Sequence, residues 1–226
     1  MDSSFFAISA IFHAVKSGIL NCFTIFAALK SFYTEMLNIV LFGAPGCGKG
    51  TQAARLKEKY GINHVSTGEI IRNEIKNETE LGLQVAAAIQ RGELAPDEVV
   101  INIIANYVSE NKECAGNIFD GFPRTTFQAE RFDEILAENG LKVDMMIYMD
   151  VPEQELVNRI LLRGKDSGRA DDASEDIIRN RISTYRAQTE IVADYYTAQG
   201  KYFSIDGLGT MDEVFDRICA VIDSMR

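Results

Sequence analysis

The chain has 226 residues, a length that suits one α/β domain or a domain with small inserts. Hydrophobic residues make up 46% of it and charged residues 25%, as in a soluble globule with a sizeable core, while the formal net charge of −10 disfavours non-specific binding to nucleic acid or to an anionic membrane. The four cysteines (Cys22, Cys47, Cys114 and Cys219) form no CxxC pair, which argues against a disulfide framework and a structural zinc site and favours the cytoplasm.

Residues 1–35 are apolar and aromatic and differ from the rest of the chain. A secretory signal would begin with positive charge, whereas this stretch begins with Asp2. A membrane span over residues 5–29 would hold Lys16 near its middle, which is energetically costly. We favour a third interpretation, in which Met36 is the true first residue and 1–35 results from a mis-called start; if the extension exists, it is expected to be disordered. A genuine signal or membrane anchor stays open as the alternative.

The first predicted strand, at 37–42, leads directly into a glycine-rich loop and then a helix that ends at Gly61. The loop, at 43–51, holds four glycines together with Lys49 and Thr51. Glycines let consecutive backbone N–H groups turn toward one anion, because no Cβ blocks the approach. Lys49 adds a positive charge, and the Thr51 hydroxyl can hold a magnesium ion. An ordinary tight turn explains one or two glycines but not this combination, which predicts a phosphate-binding loop for a nucleoside triphosphate.

The rest of the chain alternates strands with helices. Strands are predicted at 62–65, 117–120, 143–151 and 201–205, and helices open at Ser66 and Thr210 and cover 79–90, 97–110, 127–139, 152–162 and 174–198. This alternation predicts an α/β fold with a five-stranded parallel sheet flanked by helices, whose ligands bind beyond the carboxyl ends of the strands. Residues 66–95 place two helices in succession and predict a mobile insert, whereas 163–173 is predicted to be a loop.

Six arginines follow strands or lie on helices whose ends can face the same crevice: Arg72, Arg124, Arg159, Arg163, Arg169 and Arg181. Several occur in loops of small residues, GFPR and RGKDSGR, which leave the guanidinium groups free to bind phosphate oxygens in pairs. A solvated helix face explains any one of them but not the set. Asp120 ends the third predicted strand, where an acidic side chain can orient hydrated magnesium; a helix-capping role is the alternative.

No histidine or cysteine pattern suggests a rival mechanism. His64 ends a short strand and is interpreted as structural, and no Ser/His/Asp or Cys/His spacing stands out. A sugar or alcohol acceptor benefits from a general base. A phosphate acceptor is already ionised at neutral pH and needs only charge neutralisation and alignment. Many arginines without an evident base therefore favour a phosphate acceptor.

The motifs GAPGCGKGTQ, STGEIIR, RGELAPDE, FDGFPRT with Gln128, and LLRGKDSGRADD resemble the adenylate kinase family. Their order and spacing match from Met36 to the end of the chain. The resemblance implies a P-loop three-layer fold with an AMP-binding helical insert at 66–95 and a short lid at 163–173. It also implies the reaction ATP + AMP ⇌ 2 ADP with Mg²⁺. Many bacterial members carry a long lid with a cysteine-ligated zinc, whereas this lid is short and has no cysteine, so no zinc is expected.

The resemblance also implies roles for individual residues. Contacts to ATP fall on Gly46, Cys47, Gly48, Lys49, Gly50, Thr51, Arg159, Arg163 and Gly209. Contacts to AMP fall on Thr67, Arg72, Glu93, Leu94, Ala95, Gly121, Phe122, Pro123, Arg124, Gln128, Arg169 and Arg181. The groups expected to act on the transferring phosphoryl group are Lys49, Arg124, Arg159, Arg163, Arg169 and Arg181. Thr51 and Asp120 are expected to hold Mg²⁺, partly through water or phosphate.

Three alternatives remain beside this interpretation. A UMP/CMP kinase would share the scaffold and the chemistry. Thr67 favours adenine, because the pyrimidine kinases resemble this pattern but carry Ala at the position of Thr67. A non-catalytic nucleotide sensor would have lost Lys49 or the arginines, and none is lost. A membrane-tethered adenylate kinase rests entirely on residues 1–35. The expected partners are ATP, AMP and ADP, without nucleic acid or membrane, and the chain is expected to be a cytoplasmic monomer.

Overall fold

The computed structural model describes residues 36–111, 114–167, 169–172 and 174–225. The interpretations of the extension at 1–35 concern residues outside these ranges. Within the described ranges, none of the helices combines the length and the apolar character that crossing a membrane requires.

A parallel sheet lies at the centre of the fold. Its five strands are β1 Leu37–Phe42, β2 Asn63–Ser66, β3 Gly116–Asp120, β4 Met145–Asp150 and β5 Tyr202–Asp206. They are ordered β2-β3-β1-β4-β5, and every neighbouring pair is parallel. All of β1 is buried, as a continuous apolar run requires when helices cover both faces of a sheet. The predicted α/β fold with a five-stranded parallel sheet is confirmed.

Helices flank this sheet. In the described part of the chain they are α1 Lys49–Tyr60, α2 Thr67–Lys76, α3 Glu80–Gln90, α4 Asp97–Glu110, α5 Thr126–Glu138, α6 Glu153–Ser167, α7 Glu175–Thr184, α8 Val192–Ala198 and α9 Met211–Ser224. α1 packs on the first three strands and on α9, while α8 packs on β4, β5 and α5. α2 and α3 pack mainly against each other, and both lie within 66–95, the range predicted to be an insert.

Short polar side chains begin several helices, as the sequence predicts. Thr210 caps α9 through a complete capping box: its hydroxyl accepts from the N–H of Glu213 at 3.2 Å, and the Glu213 carboxylate accepts from the N–H of Thr210 at 2.8 Å. Ser66 caps α2 by accepting from the N–H of Glu69 at 3.3 Å. Gly61 ends α1 in the left-handed conformation, with φ of 66°.

Two predicted segments differ from the structure. The loop predicted from Arg163 is wrong in its first part, because α6 continues to Ser167 and a 3-10 turn follows at Ala170–Asp172. Gly164 does not break the helix, since its missing Cβ allows a close approach: a Cβ there would lie 2.9 Å from the carbonyl oxygen of Asp172. The single helix predicted at 174–198 is also wrong. It is interrupted by a π-helical turn at Tyr185–Thr189, closed by the N–H of Glu190 donating to Tyr185 O at 2.9 Å.

Candidate active site

A crevice of about 1580 Å³ lies beyond the carboxyl ends of the strands. Pockets for one small molecule usually measure about 300–1,000 Å³, so this crevice has room for two ligands. Every residue that the sequence analysis assigns to a nucleotide or to magnesium lines it. The structure therefore brings all of them together, while the particular contact that each would make stays a prediction.

The phosphate loop, Gly43–Thr51, turns sharply between β1 and α1. Gly46 has φ of 88°, and a Cβ there would lie 2.7 Å from a side chain of α6, so only glycine fits. The Lys49 ammonium donates to Gly43 O at 2.7 Å and to Ala44 O at 3.2 Å. The lysine thus folds back over its own loop, within reach of an anion that the loop would bind.

Asp120 lies at the end of β3 and is 9% exposed. Burial alone would raise the pKa of this carboxyl, but His64, Lys49 and Arg124 together hold the pKa below its ordinary value. His64 Nε2 lies 3.5 Å from Asp120 Oδ2. His64 is predicted from the sequence to be structural, and its contact with Asp120 could not be predicted, because it arises only when β2 pairs with β3. The result is a buried, ionised carboxylate beside the phosphate loop.

Arginines crowd the centre of the crevice. Burial, and then the charge of Arg169, lowers the pKa of the Arg72 guanidinium. Burial, and then the charge of Arg181, lowers the pKa of the Arg124 guanidinium. An arginine stays charged at neutral pH despite such a shift, because its ordinary pKa lies far above neutral pH. Mutually repelling cations in one crevice indicate a ligand that carries several negative charges.

Two adjacent carboxylates hold the arginines near the predicted lid. Asp172, whose side chain is 0% exposed, accepts from Arg163 Nε and Nη2, each at 2.8 Å, and from Arg181 Nη1 at 2.6 Å. Arg181 Nη2 also lies 3.0 Å from Asp171 Oδ2. Burial alone would raise the pKa of Asp172, but Arg163 and Arg181 hold it below its ordinary value. Neither aspartate was predicted as a site residue, although both lie close to Arg169 in SGRADD, which is a signal that could have found them.

On the β2–β3 side, hydrogen bonds fix the residues predicted to contact AMP. The Thr67 hydroxyl donates to Gly121 O at 2.9 Å. The Gln128 amide accepts from the N–H of Arg124 at 2.7 Å and donates to Asp97 Oδ1 at 2.7 Å. Asp97 is a further residue that the sequence analysis misses. Because both ends of the Gln128 amide are engaged within the protein, its first effect is to hold the Gly121–Arg124 segment in place.

On the β4–β5 side, Arg159 connects three parts of the crevice wall. Its Nη1 and Nη2 atoms each donate to Gly207 O at 3.3 Å, and Nη1 also donates to Cys47 O at 3.4 Å. Its Nε donates to Glu155 Oε1 at 2.7 Å. The predicted phosphate contact Arg159 is therefore anchored both to the phosphate loop and to the segment after β5.

The residues present fit a hydrated magnesium ion. Within the described residues, no group of three or more His, Cys, Asp or Glu side chains is arranged to hold a metal by itself. Magnesium does not need such a group, because it usually keeps several waters and binds one or two protein oxygens together with substrate phosphates. The ionised carboxylate of Asp120 and the hydroxyl of Thr51, in the first turn of α1, are oxygen donors of this kind.

Comparison with known proteins gives a consistent result. A family model described as "Adenylate kinase" matches residues 41–201. The chain is 53% identical over 190 residues to an adenylate kinase of Bacteroides thetaiotaomicron and 51% identical over 190 residues to one of Bacteroides fragilis, covering 84% of this chain and 100% of each relative. It is 44% identical over 191 residues to an adenylate kinase of Porphyromonas gingivalis, covering 84% of this chain and 98% of that relative.

Proposed function

The chain belongs to the adenylate kinase family, and we propose how its own residues carry out the reaction of that family, ATP + AMP ⇌ 2 ADP. It is a nucleoside monophosphate kinase, a phosphotransferase with a phosphate acceptor. The observation that carries the residue assignments is the convergence of the phosphate loop and the six predicted arginines on one crevice with room for two nucleotides. No feature of the crevice favours a pyrimidine acceptor over AMP.

The phosphate loop binds the donor. Its residues line the crevice, and its backbone N–H groups, together with the N-terminus of α1, hold the phosphates of ATP. Lys49 exchanges its bonds with Gly43 O and Ala44 O for bonds with the transferring phosphoryl group. Since these carbonyls only hold the lysine until an anion arrives, the exchange replaces neutral acceptors with charged ones and is favourable.

The arginines bind the acceptor and neutralise the charge that develops during transfer. Arg72 and Arg124 hold the AMP phosphate, while Arg163, Arg169 and Arg181 close over the phosphoryl group between the two nucleotides. The acceptor oxygen is already ionised, so alignment and charge stabilisation are the whole of the protein's task. This agrees with a crevice in which the buried carboxylate Asp120 lies beside His64, Lys49 and Arg124 and is not free to act as a base.

Magnesium is the proposed cofactor, held by Asp120 and Thr51 through water or phosphate. When bound with ATP, it would neutralise part of the phosphate charge. The low pKa of Asp120 supports this assignment, because a carboxylate must be ionised to orient the waters of a cation.

Two parts of the crevice wall are proposed to move. The insert at 66–95 closes over AMP, and the lid at 163–173 closes over ATP, which excludes water from the transferring group. The packing of α2 and α3 supports the proposal, because these helices pack chiefly against each other rather than against the sheet. We further propose a monomer in the cytoplasm, with ATP, AMP and ADP as its small-molecule partners. The free thiols of Cys47, Cys114 and Cys219 suit a reducing compartment.

An acceptor panel tests the function. The full chain is incubated with ATP and Mg²⁺ and with AMP, CMP, UMP or GMP, and ADP formation is followed in a coupled assay with and without EDTA. We expect strong preference for AMP and loss of turnover in EDTA. Comparable turnover with CMP would instead assign the pyrimidine kinase. Arg124→Gln should abolish most AMP turnover, whereas the matched control Arg131→Gln, exposed on α5, should not.

A further inference from the structure

The segment that follows β5 is held by arginines from two different helices. Arg217, on α9, donates through Nη1 to Asp206 O at 2.8 Å and to Leu208 O at 2.6 Å. Arg159, on α6, donates to the carbonyl oxygen between them, Gly207 O, at 3.3 Å. Three successive carbonyls of one turn are therefore fixed by two guanidinium groups. Such bonds are about twice as strong as those between neutral groups.

A carboxylate belongs to the same arrangement. Glu155 lines the crevice and accepts from Arg159 Nε at 2.7 Å. An acidic side chain in a crevice that binds a triphosphate repels that ligand, so its presence calls for a compensating effect. The hydrogen bond with Arg159 supplies this compensating effect, because it fixes the plane of the Arg159 guanidinium, which would otherwise rotate at the end of a long side chain.

The turn lies where the donor nucleoside has to be, given the proposed function. The phosphate loop follows β1, the central strand, and the proposed AMP contacts Thr67 and Arg124 follow β2 and β3 on one side. In-line transfer places the two nucleosides on opposite sides of the phosphoryl group. The donor nucleoside therefore extends toward β4 and β5, where Gly207 and Gly209 line the crevice.

We propose that Glu155 and Arg217 are positioning residues for the donor nucleotide. Glu155 orients Arg159 and so fixes the turn from the crevice side, while Arg217 fixes the same turn from α9. Together they keep the Asp206–Gly209 turn, which we name the donor turn, at a constant distance from the phosphate loop. Neither residue touches the reacting atoms, and the proposal rests on the proposed function for the identity of the donor.

The Glu155 variants separate positioning from charge, because the two effects have opposite signs. If Glu155 only repels the triphosphate, Glu155→Ala lowers the KM for ATP. If it orients Arg159, Glu155→Ala raises the KM for ATP, and we expect about a five- to tenfold rise, near the net loss of one ordinary hydrogen bond, because Glu155 acts on ATP only through Arg159. Glu155→Gln keeps an acceptor for Arg159 Nε. Its KM for ATP should therefore lie closer to that of the unsubstituted protein than the KM of Glu155→Ala does.

The Arg217 variants test the other side of the donor turn. Arg217→Gln should raise the KM for ATP by about fivefold or more. Arg217→Lys keeps a charged donor and should raise this KM less. In all variants the KM for AMP should change less than twofold. The matched controls are Arg131→Gln and Glu134→Ala, which form an exposed pair on α5 far along the chain from the donor turn.

The measurement is a full set of initial rates for the whole chain, with ATP and AMP varied independently, together with a thermal melt of each variant. Equal rises in both KM values, an unchanged KM for ATP, or a fall in it for Glu155→Ala would overturn the proposal. If Arg217→Gln does not fold, the two Glu155 variants decide the question. Absence of AMP turnover in the unsubstituted chain would count against the proposed function instead, so the two failures are distinguishable.

Discussion

Replacing Asp172 with asparagine should destabilise the protein by about 2–4 kcal/mol. Its carboxylate is fully buried, and it accepts three hydrogen bonds from two arginines. Removing one partner of a buried ion pair costs roughly 3–5 kcal/mol, because a charge is left without compensation. Here the side chain of Arg181 is 16% exposed but that of Arg163 is 34% exposed, so water screens part of the loss. The expected loss is therefore about 3 kcal/mol, at the lower end of the range for a broken buried ion pair.

The change is measured as the midpoint of thermal unfolding. For a domain of about this size, 1 kcal/mol shifts the midpoint by roughly 2–4 °C, so a loss of about 3 kcal/mol corresponds to about 6–12 °C. Asp216→Ala, which removes one exposed carboxylate from α9, is the matched control and should shift it by less than about 2 °C. A midpoint for Asp172→Asn that equals that of the control would refute the reasoning, because it would mean that the buried carboxylate does not hold the two arginines in solution.

Three further predictions concern Lys49, Gly92 and the pH dependence of stability. Lys49→Met should lower kcat by about 10²–10³-fold in the coupled assay and leave the thermal midpoint nearly unchanged; retained turnover would contradict its role. Gly92→Ala should raise the KM for AMP about tenfold, since a Cβ there would lie 2.6 Å from Arg181 Cγ. The control is Gly140→Ala, which has similar backbone strain but no neighbour within 4 Å, and it should not raise this KM. Because the pKa of Asp172 is lowered in the folded state, its carboxylate stabilises the protein above the unfolded pKa of about 3.9, and this stability is lost as the pH falls below that value. Acid unfolding of Asp172→Asn should lack this part of the pH dependence.

The features that could be predicted from the sequence are those set by neighbours in the chain. The apolar run of β1, the glycine spacing of the phosphate loop and the capping box of Thr210 with Glu213 are local, and each occurs where it was predicted. The parallel direction of the strands, though not their order in the sheet, followed from the alternation of strands and helices. These local patterns also placed the candidate site, because all the strands end at the same edge of the sheet.

The features that could not be predicted depend on partners that are distant in the chain. His64 meets Asp120 only through the pairing of β2 with β3, and Arg217 meets Asp206 only once α9 packs against β5. The end of α6 was predicted too early, because the low helix propensity of glycine at Gly164 indicates the end of a helix. In the structure this glycine lies inside the helix, where a Cβ would crowd the carbonyl of Asp172. Tertiary contact therefore outweighs local propensity at that position.

The strand order has a consequence for how the molecule folds. β1 pairs with β3 on one side and β4 on the other, and neither partner is its neighbour in sequence. The central strand, with the phosphate loop at its end, therefore has no ladder until β3 has been synthesised and lacks its second ladder until β4 follows. Non-local pairing of this kind raises the contact order and slows folding. The loop is among the first described segments to be synthesised, but β1 is paired on both sides only after β3 and β4 have followed, so substitutions in those two strands should also affect its formation.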